Sequence, residues 1–167
     1  MPAAPEDLLH RLDQLGFETK THDHPPLFTV EESKALRGRI PGGHCKSLFL
    51  KDKKGQLWLV VALEDTPIEL NRLHARIGAA RLSFGSADLL EQVLGVKPGS
   101  VTPFALINDE EQRVRVVLDS AMMKHDLLNY HPLSNDRTTT IRSRDLLAFV
   151  QACGHKPLVT EVGEAAA

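Results

Sequence analysis

The sequence predicts a mixed α/β domain, a largely antiparallel sheet with helices around it. Three observations carry that prediction. Apolar or alternating runs of strand length recur along the chain, bounded by turn residues. Segments with helical apolar spacing fall between them. Several neighbouring strands are joined by turns too short for a crossover helix, which favours hairpins over a doubly wound sheet.

Leu8, Leu9, Leu12 and Leu15 recur at helical spacing, so a first helix is expected from Pro5 to Leu15, with Gly16 as its stop. Phe17 to Thr21 alternates and reads as a strand, broken by His24-Pro25-Pro26. Thr29-Val30-Glu31-Glu32 matches a capping box and opens a short helix ending near Gly38. After the Pro41-Gly42-Gly43 loop, Lys46 to Lys51 and Leu57 to Leu63 form a hairpin around Asp52 to Gly55. The second of these strands is apolar almost throughout and belongs at the centre of the sheet. Thr66-Pro67-Ile68-Glu69 reads as another helix start, running to Gly78. Arg81 to Phe84 is a short strand, and Ser86 caps a helix that stops at Gly95. Pro103 to Ile107 and Val114 to Leu118 read as a strand pair around a turn at 108–112. Leu127 to His131 and Thr138 to Ile141 form a second pair, and Ser143 caps the last helix. Residues 1–160 are expected to make one domain, with 161–167 a frayed tail.

With 167 residues, the chain can bury a proper core without disulfides or a structural metal. Hydrophobic residues are 42% and charged residues 25%, ordinary globular usage. Cys45 and Cys153 are too few for a disulfide framework, and their spacing fits no zinc pattern. No basic-then-apolar leader opens the chain, and nothing approaches the roughly 18 consecutive apolar residues of a membrane span. The expectation is a reduced, cytoplasmic protein that does not contact a membrane. A net charge of −2 and a pI of about 6.4 argue against a protein that coats duplex DNA, because such binding neutralises many phosphates. They leave room for a small pocket that grips one end of an RNA.

Lys46 opens an apolar strand just after a Gly-Gly loop. Such a lysine points either to water or, from a rigid mount, at a phosphate or carboxylate. The Gly99-Ser100-Val101-Thr102-Pro103 loop is either an ordinary turn or a set of backbone N–H groups aimed at a carbonyl. His131, in Asn129-Tyr130-His131-Pro132, is equally compatible with a structural bond to a carbonyl and with orienting a hydroxyl or moving a proton. His22 and His24 alternate on a strand and could share a metal, but the sequence forces no third ligand nearby, so no metal is expected. There is no nucleophile elbow, P-loop or dinucleotide fingerprint. Cys45 as a nucleophile would need a setting that stabilises its thiolate.

Taken together, four segments resemble one family. His24-Pro25-Pro26-Leu27-Phe28-Thr29-Val30-Glu31-Glu32 resembles the opening motif of the YbaK and prolyl-tRNA synthetase-associated editing domains. Cys45 to Leu50 is similar to their lysine strand. Gly99 to Pro103 matches their Gly-x-x-x-Pro loop, and Asn129 to Asn135 followed by Thr138-Thr139-Thr140-Ile141 resembles their closing histidine segment. The ordered set spans about residues 20–150. It is nearest to the stand-alone alanyl-tRNA(Pro) deacylases and implies the YbaK/aminoacyl-tRNA synthetase-associated domain fold.

The resemblance implies hydrolysis of Ala-tRNA(Pro), with other mischarged tRNAs (Cys or Ser) or a non-catalytic tRNA- or synthetase-binding module as alternatives. It implies catalytic roles for Lys46 on the terminal phosphate, Gly99 at the aminoacyl ester and His131 at the terminal ribose. Water would be activated largely by a ribose hydroxyl, with no cofactor and no metal. Phe28, Thr29, Val30, Leu36, Phe49, Ser100, Val101, Thr102 and Pro103 would bind the small aminoacyl group. Lys51 and Arg81 would touch the acceptor stem of tRNA(Pro), and prolyl-tRNA synthetase is a further candidate partner. Two positions depart from the pattern: Ser47 stands where many relatives carry Asn, and Arg137 follows Asp136 where relatives often have small residues.

Overall fold

The computed structural model describes residues 2–25, 35 and 40–164. The capping box at Thr29 and the pocket residues Phe28, Thr29, Val30 and Leu36 lie outside them.

Helix α1 (Pro5–Gln14) precedes β1 (Thr19–Asp23). Strands β2 (Gly43–Asp52) and β3 (Leu57–Leu63) follow, then α2 (Leu70–Ile77), β4 (Leu82–Phe84) and α3 (Ala87–Leu94). The rest comprises β5 (Val114–Asp119), β6 (Leu127–Tyr130), β7 (Arg137–Arg142), α4 (Ser143–Ala152) and β8 (Leu158–Thr160). Eight strands form one mixed sheet in the order β1-β7-β6-β2-β3-β5-β8, with β4 beside β2. Pairing is antiparallel at β1–β7, β6–β7, β2–β3 and β2–β4, and parallel at β2–β6, β3–β5 and β5–β8. As its apolar run predicts, β3 is central and is buried except at Leu63.

The two-residue alternation of the strands divides the core into two layers. Leu57, Leu59 and Val61 of β3 join Leu8 and Leu12 of α1, Leu90 and Val93 of α3, and Phe149 of α4 in the larger layer. Trp58, Val60 and Ala62 face the other way, onto Leu73 and Ile77 of α2 and onto Val162.

Four expectations are corrected. Pro103 to Ile107 is a 3-10 helix, Pro103–Asn108, instead of a strand; Thr102 caps it by accepting from Phe104 N at 3.3 Å. Its apolar residues Phe104, Ala105 and Leu106 are all buried, and an apolar run that short does not separate helix from strand. Consequently β5 pairs with β3 and β8 in place of the segment at 103–107. The helix expected from Thr66 begins only at Leu70, because its N-cap is Glu69, which is still extended at φ −110° and ψ 117°. The tail expected to fray from 161 is held as far as 164: Val162 is fully buried, its N–H donates to Asp119 Oδ1 at 3.1 Å, and Glu164 N–H donates to Pro67 O at 2.7 Å. β8 was missed for a related reason: Leu158 and Val159 are half exposed, without the alternation that marks a strand.

Candidate functional site

β2 is the strand from which the site is built. Its first residues pair with β6, Gly43 with Leu128 and His44 with Asn129. Its last residues pair with β4, Leu50 with Phe84 through Asp52 with Leu82. Both neighbours lie on the same edge of β2, since β3 occupies the other. Between them, around residues 45–48, the described strands leave that edge open. The entry is fixed by close approach. Asn129 Nδ2 donates to Pro41 O and Gly43 O at 3.0 and 3.2 Å, and a Cβ on Gly42 would lie 2.9 Å from Leu127 O.

Lys46 lies opposite Ala62, so it shares the α2-side face with Ala62, Leu48 and Leu50. The parallel register ends at His44 and Asn129; carried two residues onward it would bring His131, the residue after β6, level with Lys46. The Glu64 carboxylate, just past β3, is among the charges that hold up the pKa of both Lys46 and His131. The Lys46 ammonium donates to Thr66 O at 2.5 Å. Burial lowers its pKa, while the Asp65 and Glu64 carboxylates oppose the shift. A hollow of about 470 Å³ beside this point is lined by Gly43, His44, Glu64, Asp65, Thr66 and His125 among others.

His131 Nδ1 lies 3.0 Å from Arg137 O. A carbonyl only accepts, so Nδ1 carries the proton, and in the neutral ring Nε2 is the acceptor. Burial is the main cause that lowers the His131 pKa. The Arg137 carbonyl opposes it, the neighbouring His24 adds to it, and Asp136 and Glu64 resist it. His24 stands with its ring centroid 6.2 Å from that of His131. Its Nδ1 faces Pro25 O at 2.8 Å, so its Nε2 accepts from the Thr138 hydroxyl, also at 2.8 Å. Both ring nitrogens of His24 are thus engaged by Pro25 and Thr138, and among the described residues no three metal-ligating side chains cluster.

The Gly99 to Pro103 loop approaches from the other layer. Val101 packs against the larger core, Thr102 and Pro103 are buried, and Phe104 meets Tyr130, the neighbour of His131, edge-on at 5.7 Å. Gly99 has φ +94°, and a Cβ there would meet nothing within 4 Å. Ser100 N–H donates to Lys97 O at 3.0 Å, so that amide is engaged in the turn. Among the described residues, no contact joins Gly99 itself to Lys46 or His131. Phe49 alternates to the face opposite Lys46 and lies in the larger core, 4% exposed, so it lines the layer behind the lysine. Lys51 and Arg81 are exposed at the far end of β2 and beside β4. Burial pushes the Cys45 thiol up to about 12, with Glu64 adding to the rise and hydrogen bonds to Tyr130 and Asn129 resisting it; the thiol is no nucleophile at neutral pH.

Sequence reasoning missed Glu64, Asp65 and Thr66. The hairpin register was the available signal: once Lys46 lies opposite Ala62, the residues just past β3 fall beside it. Arg137, noted as a departure, is tied back to Glu6 and Asp23 at 3.1 and 3.4 Å, and only its carbonyl serves His131.

Comparison with known proteins places the chain in a family. The family described as the aminoacyl-tRNA editing domain matches residues 24–149. The chain is 38% identical over 162 residues to the prolyl-tRNA synthetase associated domain-containing protein 1 of Danio rerio, covering 93% of this chain and 88% of that one. It is 35% identical to the prolyl-tRNA editing protein ProX of Acetoanaerobium sticklandii, covering 91% and 93%. A solved structure described as a candidate trans-editing enzyme for prolyl tRNA synthetase superposes with a TM-score of 0.74 at 18% identity, covering 99% of this chain and 100% of that one; that likeness concerns the fold alone. The chain belongs to the aminoacyl-tRNA editing domain family.

Proposed function

We propose that the chain is a trans-editing aminoacyl-tRNA deacylase that hydrolyses mischarged Ala-tRNA(Pro) to alanine and tRNA(Pro), acting in the cytoplasm. The observation that supports this reading is a strand-mounted lysine, Lys46 of β2, with His131 just past the end of β6, the strand that adjoins the start of β2, in a chain of the editing family. A cation on a rigid strand suits the phosphate of a terminal adenosine. The Nε2 of a neutral His131 suits a ribose hydroxyl as its donor. Water attacks the ester carbonyl, helped by the neighbouring ribose hydroxyl. The bond from carbonyl carbon to ribose oxygen then breaks, and that oxygen leaves with a proton. In this reading Gly99, Ser100, Val101, Thr102 and Pro103 cradle the aminoacyl group, and Lys51 and Arg81 touch the acceptor stem. The protein supplies positioning and charge stabilisation.

The preference for alanine follows from sieving. A synthetase pocket built for proline rejects the smaller alanine weakly, because a missing methylene is worth only about 1–3 kcal/mol. A second, tighter site that admits alanine and excludes proline removes the error.

The test is a panel of alanyl-, cysteinyl- and seryl-tRNA(Pro) offered to wild type and to Lys46→Ala. Alanine release by wild type is expected, with kcat/KM falling about 10²–10³-fold in the variant. Faster release of cysteine or serine would move the substrate. Intact ester across the whole panel at high enzyme concentration would leave a binding module.

A further inference from the structure

Phe84 is exposed to 64%, the most exposed of the large apolar side chains in the described residues. A single exposed ring is ordinary in itself, and what singles this one out is its setting. Its place is specified. Phe84 pairs with Leu50, so it stands on the same sheet face as Lys46. It is four residues further along β2, about 13 Å, and one strand across, about 4.8 Å. The two residues project from the same face of the sheet. The strand end is held: Gly85 N–H donates to Phe49 O at 2.9 Å, and a Cβ on Gly85 would fall 2.4 Å from the Phe49 ring.

The surroundings are basic. Lys51, Lys53, Lys54 and Arg81 are all exposed around the β2–β3 turn and the start of β4. The turn that carries Lys53 and Lys54 is ordered by Asp52, whose buried carboxylate accepts from Lys54 N, Gln56 N and the Trp58 indole N–H, at 2.9, 3.0 and 3.1 Å, while Lys51 alternates to the face opposite Phe84. Lys53 N–H also donates to Arg81 O at 3.1 Å. An exposed aromatic beside lysines and an arginine is the composition of a site for single-stranded nucleic acid, where bases stack and the backbone meets cations. Protein interfaces are depleted in lysine.

Resting on the deacylase reading, the geometry points to Phe84 as a stacking platform for a base of the single-stranded 3′ end of the tRNA, upstream of the nucleotide held at Lys46. The gap between the two residues is one that a few nucleotides of single strand bridge. The ring positions the substrate and takes no part in the chemistry.

The experiment compares wild type, Phe84→Ala and Phe84→Trp on two substrates: Ala-tRNA(Pro), and the 3′-alanyl ester of adenosine 5′-monophosphate, which lacks every upstream base. Phe84→Ala is expected to raise KM for the tRNA roughly ten- to a hundredfold with kcat little changed, Phe84→Trp to restore it, and neither to alter the short ester. A parallel measurement uses an uncharged 3′-end oligonucleotide with 2-aminopurine at the penultimate position; its fluorescence is expected to quench on wild type and not on Phe84→Ala. If wild type hydrolyses the tRNA while Phe84→Ala keeps its KM, or if the short ester suffers equally, the stacking role is overturned and the deacylase stands. If wild type hydrolyses neither substrate, the deacylase reading falls and the quench alone decides: loss in Phe84→Ala supports the platform, and no quench on wild type overturns it.

Discussion

His155 and His131 both sit behind the surface on hydrogen bonds, yet they are built for different ends. His155 Nε2 lies 2.9 Å from Asp109 Oδ2, and both side chains are almost wholly buried. Asp109 also accepts from Arg113 N and Val114 N at 3.0 Å each, so its carboxylate ties the 109–114 turn to the end of α4. Burial raises the Asp109 pKa, but these bonds more than offset it and hold the carboxyl below its usual range. An acid beside a histidine resembles half of a catalytic triad; here it closes a turn. His131 has a carbonyl for a partner in place of a carboxylate. A carbonyl fixes the ring without supplying the charge that would favour imidazolium, and its Nε2 stays an acceptor. Burial keeps the His131 ring neutral, while the carbonyl on Nδ1 fixes its tautomer and leaves Nε2 as the acceptor.

Asp109→Ala tests the structural half of that contrast most severely. It leaves the His155 ring and two amides buried without their acceptor, and is expected to lower stability by about 3–5 kcal/mol in urea unfolding. Deacylation per folded molecule should stay near wild type; a loss of turnover with stability intact would reverse the assignment. His131→Ala should do the opposite, lowering kcat roughly 10²-fold with a modest change in stability. The smallest effect is on pH. The folded-state pKa of His131 lies below the unfolded value of about 6.5. As pH falls, the unfolded chain therefore takes the proton first. The stability linked to this group is present above pH 6.5 and is lost as the pH drops through the lower, folded value. Activity should hold through the neutral range and fail only at more acid pH, once Nε2 is protonated. An activity limb centred above the ordinary histidine range would contradict the neutral-ring assignment.

Much of the fold could be read from the chain because its signals were local. The apolar run of β3 announced a central strand, Ser86 announced a cap that accepts from Leu89 N at 3.1 Å, and turn residues bounded the β6–β7 hairpin. The failures lay where tertiary pairing decides. Residues 103–107 are as apolar as a strand, but β5 finds its partners in β3 and β8, and β8 has too little pattern to be noticed. The site divides in the same way. Lys46 and His131 are singled out by the resemblance to the editing family, since spacing alone favours a solvent-facing lysine and leaves the histidine equally compatible with a structural role. Glu64 and the His24–His131 contact depend on registers between distant segments, and no spacing within one segment reports those.

One ten-residue strand, β2, is shared by β6 at its start and β4 at its end, with β3 along its other edge. An extra residue inserted midway along it would invert everything downstream. Phe49 would swing out from under α3, Leu50 would leave Trp58, and the ring at 84 would lose its alignment with the lysine. Mutational drift is therefore expected to reshape the surrounding loops more readily than to insert or delete within this segment, because the same alternation that seals both hydrophobic layers also sets which of its residues share the face of Lys46.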